Sequence, residues 1–193
     1  MRRVAVWFGG LAVLLAAAYT GYWYYLAGTI RDQMTPWVDA RQAEGVDIKW
    51  NAVAIGGYPF AVRLRFDGFD VAALKPMPYQ MQAADISFSS APWDLRHWHF
   101  SAPDGARVEL ILQSAGFDAK TLDGMVSVPL QPGGTADIEA SGLAGRGAAQ
   151  GVGVDSVHVA LQQPEALPQT DHDPALLVSF DIQGAHLRAA PAP

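Results

Sequence analysis

Gly56-Gly57-Tyr58-Pro59-Phe60-Ala61-Val62-Arg63-Leu64-Arg65-Phe66 is the stretch whose reading decides the fold. Two glycines permit a tight turn, and the Tyr-Pro-Phe step fixes how the chain leaves it. Phe60, Val62, Leu64 and Phe66 then alternate with Ala61, Arg63, Arg65 and Asp67. Successive strand side chains point to opposite faces, so the pattern predicts a strand with one apolar and one basic face. The stretch carries no obvious catalytic group.

The same alternation recurs downstream. Gly68 interrupts the register, and Phe69 and Val71 resume it on the other parity, as at a bulge or bend. Further strands are expected from about Tyr79 to Phe88, through Val108, Leu110 and Leu112, and through Val126, Val128 and Leu130. Val157, Val159 and Leu161 mark another, and Leu176, Val178, Phe180 and Ile182 the clearest. Turn signals separate them at Lys75-Pro76-Met77-Pro78, Pro103-Asp104-Gly105, Gln131-Pro132-Gly133-Gly134 and Gln163-Pro164. No helical period lies between the strands, so a mainly β chain is predicted: an antiparallel meander curved into a half-barrel or roll over residues 46–188. Gly142 to Gly153 reads as a glycine-rich loop and 189–193 as a disordered tail, and no repeat of fixed length is evident.

Ahead of the strands, Val4 to Ile30 runs without a charge, behind Arg2 and Arg3. That length predicts a transmembrane helix over residues 1–30, with the arginines cytoplasmic and the body outside. A secretory signal cleaved after Ala16-Ala17-Ala18 is the rival reading. The run continues through Tyr19, Tyr22, Trp23, Tyr24, Tyr25 and Leu26, which looks like an interfacial aromatic belt and favours the anchor. Thr35-Pro36 then reads as the start of a separate short helix over residues 31–45, packed through Trp37 and Val38 and stopped by Gly45.

Composition removes several functions. The chain has no cysteine, hence no disulfide, thiolate nucleophile or cysteine-ligated zinc. Residues 31–193 hold 11 basic and 19 acidic groups, a net charge of −8, which argues against nucleic-acid binding. His97 and His99 share a strand face, but two imidazoles are not a metal site. Asp171-His172-Asp173 reads as a solvated turn. Gly142-Leu143-Ala144-Gly145-Arg146-Gly147 lacks the Gly-Lys-Ser/Thr ending of a phosphate loop, and no Gly-x-Ser-x-Gly elbow is present. No catalytic residue, metal or cofactor is expected, and the exported-hydrolase reading has no motif behind it. Arg63 and Arg65 read as a solvated face, with a headgroup phosphate or a partner carboxylate as the alternative.

The order of features resembles a known family. An N-terminal apolar segment is followed by Val46-Asp47-Ile48-Lys49-Trp50, then Gly57-Tyr58-Pro59-Phe60, then Ala83-Ala84-Asp85-Ile86 and Ala91-Pro92-Trp93. This resembles the bacterial DUF2125 family, most clearly over residues 1–115. Gly57, Tyr58, Pro59, Phe60 and Trp93 carry the motif. The resemblance implies an inner-membrane protein of Gram-negative bacteria, single-pass, with a β-rich body in the periplasm and no assigned biochemical role. At the level of fold it is also similar to lipid-associated envelope proteins of the AsmA-like group. Members of the family are longer, so the chain reads as a short member or one lacking a C-terminal part, which would leave a sheet edge unpaired.

An antiparallel sheet must cover its apolar face, and little helix is available for that. The expected function is therefore binding of lipid, or another apolar ligand, on the concave face in envelope maintenance. Phe60, Val62, Leu64, Phe66, Val108, Leu110, Leu112, Val178, Phe180 and Ile182 are the candidate residues. The alternative is a non-enzymatic scaffold or partner subunit of an envelope protein complex.

Overall fold

The computed structural model describes residues 2–74, 78–127, 134–162 and 177–187, with the side chains of 2–6 and 8 left aside. One helix, α1 (Arg2–Ala43), precedes strands joined in a single antiparallel sheet. The strands are β1 (Val46–Lys49), β2 (Ala52–Gly56), β3 (Val62–Ala73), β4 (Tyr79–Ala91), β5 (Asp94–Ala102), β6 (Ala106–Leu110), β7 (Ala115–Ala119), β8 (Thr121–Ser127), β9 (Thr135–Gly147), β10 (Val152–Gln162), β11 (Leu177–Gln183) and β12 (His186–Leu187). A 3-10 turn at Ile111–Gln113 joins β6 to β7.

The register reduces these to a simple meander. β1 and β2 both lie along β3, β5 and β6 both lie along β4, β7 and β8 both lie along β9, and β11 and β12 both lie along β10. Each of those pairs is one long strand interrupted midway. The order begins with β1 and β2 and ends with β11 and β12, and among the described residues these two ends do not pair, which leaves the sheet open there.

The interruptions line up. Gly68, Gly105, Gly142 and Gly184 all have positive φ, and each sits on an alternate strand of the meander. They are 37, 37 and 42 residues apart, so a β-hairpin repeat exists after all. It escapes a search for repeated residues because only the backbone conformation recurs. A glycine in the left-handed region turns the strand and moves later side chains onto the opposite parity. Gly68 does this visibly: Phe66 and Phe69 both enter the core, with ring centroids 5.5 Å apart. The row also corrects the expected loop at 142–153. Residues 142–147 belong to β9 and β10 begins at Val152, leaving only a short turn.

The N-terminal region differs from expectation in two ways. First, there is no separate helix over 31–45. Pro36 lies inside one continuous helix, and Trp37 is exposed. The helix ends at Ala43, and Gly45 (φ 88°) donates its N–H to the Gln42 carbonyl at 2.9 Å. Second, among the described residues no helix is long and apolar enough to cross a membrane. Within Tyr19 to Leu26, the Tyr19 and Tyr22 hydroxyls and the Trp23 indole N–H are used against the sheet. The aromatic belt is, in large part, an intramolecular joint.

Two clusters form the core. Trp23 and Leu26 pack on Val62, with Ala27, Ile30, Ile55, Leu95 and Trp98 around them. Phe66, Ala83, Ile86, Ala102 and Ala106 form the second, closed by Met34 from the helix and by Trp50, Phe69 and Phe88. Trp50, Phe69 and Phe88 all meet the Phe66 ring, Trp50 and Phe88 edge-on. The helix thus covers the apolar face only over the β1–β5 end.

Candidate functional site

The two faces of the sheet can be followed residue by residue across the cross-strand register. One row runs Ile55, Leu64, Phe88, Phe100, Gly124, Ile138, Val159, Phe180. The adjacent row runs Ala54, Arg65, Ser87, Ser101, Asp123, Glu139, His158, Asp181. Strand alternation separates them onto opposite faces. One face is apolar from edge to edge, and the other is polar. At roughly 4.8 Å between strands, the apolar row is about 34 Å wide.

Coverage of the apolar face is lost at the far end: along that row Ile55 to Val159 are half-buried and Phe180 is exposed, and on the same face two residues before Leu64 lies Val62. Val62, beneath Trp23, is 0% exposed, whereas Phe180 at the far end is 67% exposed. Val178, Phe180, Ile182 and Leu187 are exposed, so among the described residues nothing covers the β11–β12 end. Gly124 leaves room on this face for a neighbouring ring. A Cβ there would lie 2.7 Å from the Phe100 Cε1, so the ring occupies the space above the glycine.

The predicted site residues divide accordingly. Leu64, Val108 and Leu110 are half-buried on the apolar face, and Val178, Phe180 and Ile182 are exposed on it. Val62 and Phe66 are on this face too, but the protein's own side chains fill the space over them, so they are core rather than binding surface. Phe60 and Leu112 are corrections. Phe60 precedes β3 in the turn, and Leu112 lies in the 3-10 turn beyond β6; both point to solvent. Val128, Leu130 and Leu176 lie outside the described residues, as do Asp171, His172 and Asp173.

The opening motif has a role the alternation alone does not reveal: it holds the helix. Trp23 Nε1 donates to the Ala61 carbonyl at 2.9 Å, and Tyr19 Oη donates to the Pro59 carbonyl. Tyr58 stacks on Tyr24 at 6.2 Å, meets Trp23 edge-on at 5.6 Å and bonds the Thr20 hydroxyl at 2.7 Å. Tyr22 Oη donates to the Pro92 carbonyl at 3.0 Å, beside exposed Trp93. The sequence signal was the pair of aromatic clusters, one in the helix and one in the turn. Gly57 (φ 100°) brings Ala61 back toward the turn, where a Cβ would lie 2.7 Å from the Ala61 carbonyl oxygen. Gly57→Ala is therefore expected to cost about 1–3 kcal/mol, whereas Gly56→Ala, with open space around it, should change stability by less than about 1 kcal/mol. Urea denaturation of the two variants makes the comparison.

The polar face is an exposed ion-pair surface. Arg65 pairs with Asp85, and Arg107 pairs with Asp118 at 2.9 Å, each carboxylate holding its guanidinium even more firmly protonated than usual. The hydrogen bond from His97 holds the Asp94 carboxyl below the ordinary range, and Lys49 does the same for Asp47. These groups are solvated, so each contributes little to stability and less in salt. A shallow recess on this face is bordered by His99, Asp123, Asp137, Glu139 and His158, with His158 Nε2 3.4 Å from Asp137. Among the described residues no three histidine or carboxylate groups converge as metal ligands.

Comparison with curated proteins and with solved structures returned no match. A family model does match, over residues 23–193, described as an uncharacterized protein conserved in bacteria. The match runs from Trp23, the first buried residue of the helix joint, through the whole sheet. By that match, and by the turn motif and two-faced sheet it contains, the chain belongs to the DUF2125 family.

Proposed function

We propose that the protein is a non-catalytic envelope component that holds the acyl chains of lipid along the uncovered part of its apolar face. The concave side would cradle the chains, with the projecting N-terminal end of α1 inserted in the inner membrane and the body in the periplasm. The observation that carries this reading is the apolar row from Ile55 to Phe180, covered by helix at one end and open at the other. An exposed face of this kind is costly in water and marks a binding surface. The exposed helix end supports the anchoring. Every described side chain from Trp7 to Ala18 is exposed, including Trp7, Leu11, Val13, Leu14 and Leu15.

The test is lipid mass spectrometry on the purified full chain, beside a variant carrying Val178→Ser, Phe180→Ser and Ile182→Ser. The wild type should retain lipid and the variant should lose most of it. The three sites are exposed, so the variant's stability should change by only about 0.5 kcal/mol per site. Absence of lipid from the wild type, with a protein partner recovered on the same face by crosslinking, would replace this reading with the scaffold.

A further inference from the structure

We propose that the sheet is seated on the bilayer by its own loop tips, with Phe60 and Trp93 placed at the boundary between headgroups and acyl chains. This rests on the anchoring half of the proposed function and adds how the body is oriented upon it.

Trp23 packs on Val62 at the start of β3, Met34 reaches the Phe66 cluster, and the Leu74 N–H meets the Gly45 carbonyl at 3.4 Å. The helix therefore runs alongside β3, in the same direction. Its contacts with the sheet begin at Tyr19 and Thr20, through Pro59 and Tyr58. N-terminal to that point the described helix side chains are exposed. The exposed apolar segment therefore emerges at one end of the strands, the end formed by the turns at 57–61 and 92–93.

Those two turns have an unusual composition for solvent-exposed tips. They read Gly-Tyr-Pro-Phe-Ala and Pro-Trp, with no charge in either. Phe60 is 78% exposed and Trp93 is 70% exposed. The β3–β4 register that joins Val62 to Ser90 brings the two turns side by side. Tyr19 and Tyr22 bond one turn each, so the helix base sits against both. Exposed Tyr22, Tyr24, Tyr25 and Tyr58 complete an aromatic collar around the point where the helix departs. Trp and Tyr concentrate at this depth of a bilayer because their rings suit an interface that is apolar on one side and wet on the other.

Exposure alone does not single out this end. Leu112, in the turn at the opposite end of the strands, is 77% exposed. Position decides between them, because the apolar helix segment leaves beside Phe60 and Trp93, whereas the helix terminates at the Leu112 end. Seated in this way, the strands stand away from the membrane and the apolar face opens at its base onto the lipid.

The absence of cysteine makes the test clean. Single variants Phe60→Cys, Trp93→Cys, Leu14→Cys and Leu112→Cys of the full chain carry an environment-sensitive dye. They are reconstituted in vesicles of phosphatidylethanolamine and phosphatidylglycerol that contain nitroxide lipids, labelled near the headgroup or deep in the chain. The expected result is a blue shift and loss of emission at 60 and 93 with the shallow nitroxide, loss at 14 with the deep one, and neither at 112. Unchanged emission at 60 and 93 with quenching at 14 would overturn the seating and leave the anchoring intact. No response at 14 either would overturn both. Equal quenching at 112 would mean that the body lies flat, which also overturns the proposal. All four positions are exposed in the free protein. Hydrogen exchange on the unmodified chain, with and without vesicles, gives the same readout at 57–61 should a labelled variant fail to fold.

Discussion

Trp23→Ala is expected to destabilise the protein by about 3–5 kcal/mol, the usual range for emptying a large buried aromatic site. Three losses coincide at this position. The indole is 4% exposed and sits directly on Val62 and beside Leu26. Its N–H is the donor to the Ala61 carbonyl, which would be left without that partner. Its ring also fixes Tyr58, so the turn loses an edge-on neighbour at 5.6 Å. Guanidinium denaturation followed by circular dichroism measures the loss. Exposed Tyr25, two residues on, is the control, and Tyr25→Ala should change stability by no more than about 0.5 kcal/mol. Equal effects at the two positions would mean that the helix is not held to the sheet by its buried side.

The second large effect is expected at Gly105→Val, at about 2–5 kcal/mol. Gly105 has φ +84°, a conformation that costs an L residue about 1–2 kcal/mol and a β-branched one more. Any Cβ would also press on the Ala119 carbonyl oxygen and lie 2.9 Å from that of Lys120. Both are backbone atoms, which cannot swing aside, so overpacking adds about 1–3 kcal/mol. The consequence would spread beyond one turn, because Gly105 belongs to the row with Gly68, Gly142 and Gly184 that lets apolar residues on both sides of the interruption reach the same face. Thermal unfolding and hydrogen exchange across β5 to β8 would register the change. A neutral Gly105→Val would remove the row from any structural role.

Much of this architecture was legible in the residues. The Phe60–Phe66 alternation located β3, and Gly68 was readable as the point where parity reverses. Leu176 to Ile182 announced β11, and its apolar alternation identified the face that the sheet leaves open. The errors have physical causes. Phe60 continues the alternating pattern, yet the turn built on Pro59 does not release the chain into the strand until Val62. Leu112 continues another, but the 3-10 turn begins at Ile111. Tyr19 to Leu26 was ambiguous in principle, since an amphipathic ring that suits a membrane interface suits a protein joint equally well. The glycine-rich stretch at 142–153 reads as a loop because glycine weakens strands. Here, glycine at 142 takes a left-handed backbone conformation (φ 60°), and at 145 a Cβ would press on the Ala149 carbonyl. The hairpin repeat was hidden because it is carried by one backbone conformation and not by recurring side chains.

The candidate site was legible as a face but not as a set of contacts. Alternation identifies which residues share a side of the sheet, and it did so for Leu64, Val108, Leu110, Val178, Phe180 and Ile182. It cannot say where the helix lies, which is what turns Val62 and Phe66 into core and leaves Phe180 uncovered.

The most direct test of lipid holding compares two neighbouring residues on opposite faces of β11. A benzophenone amino acid placed at Phe180 projects from the apolar face, and one at Asp181 from the polar face. After irradiation of the full chain in its native envelope membrane, phospholipid adducts should form at 180 and not at 181. Equal yields at both positions, or no lipid adduct at 180, would contradict the account.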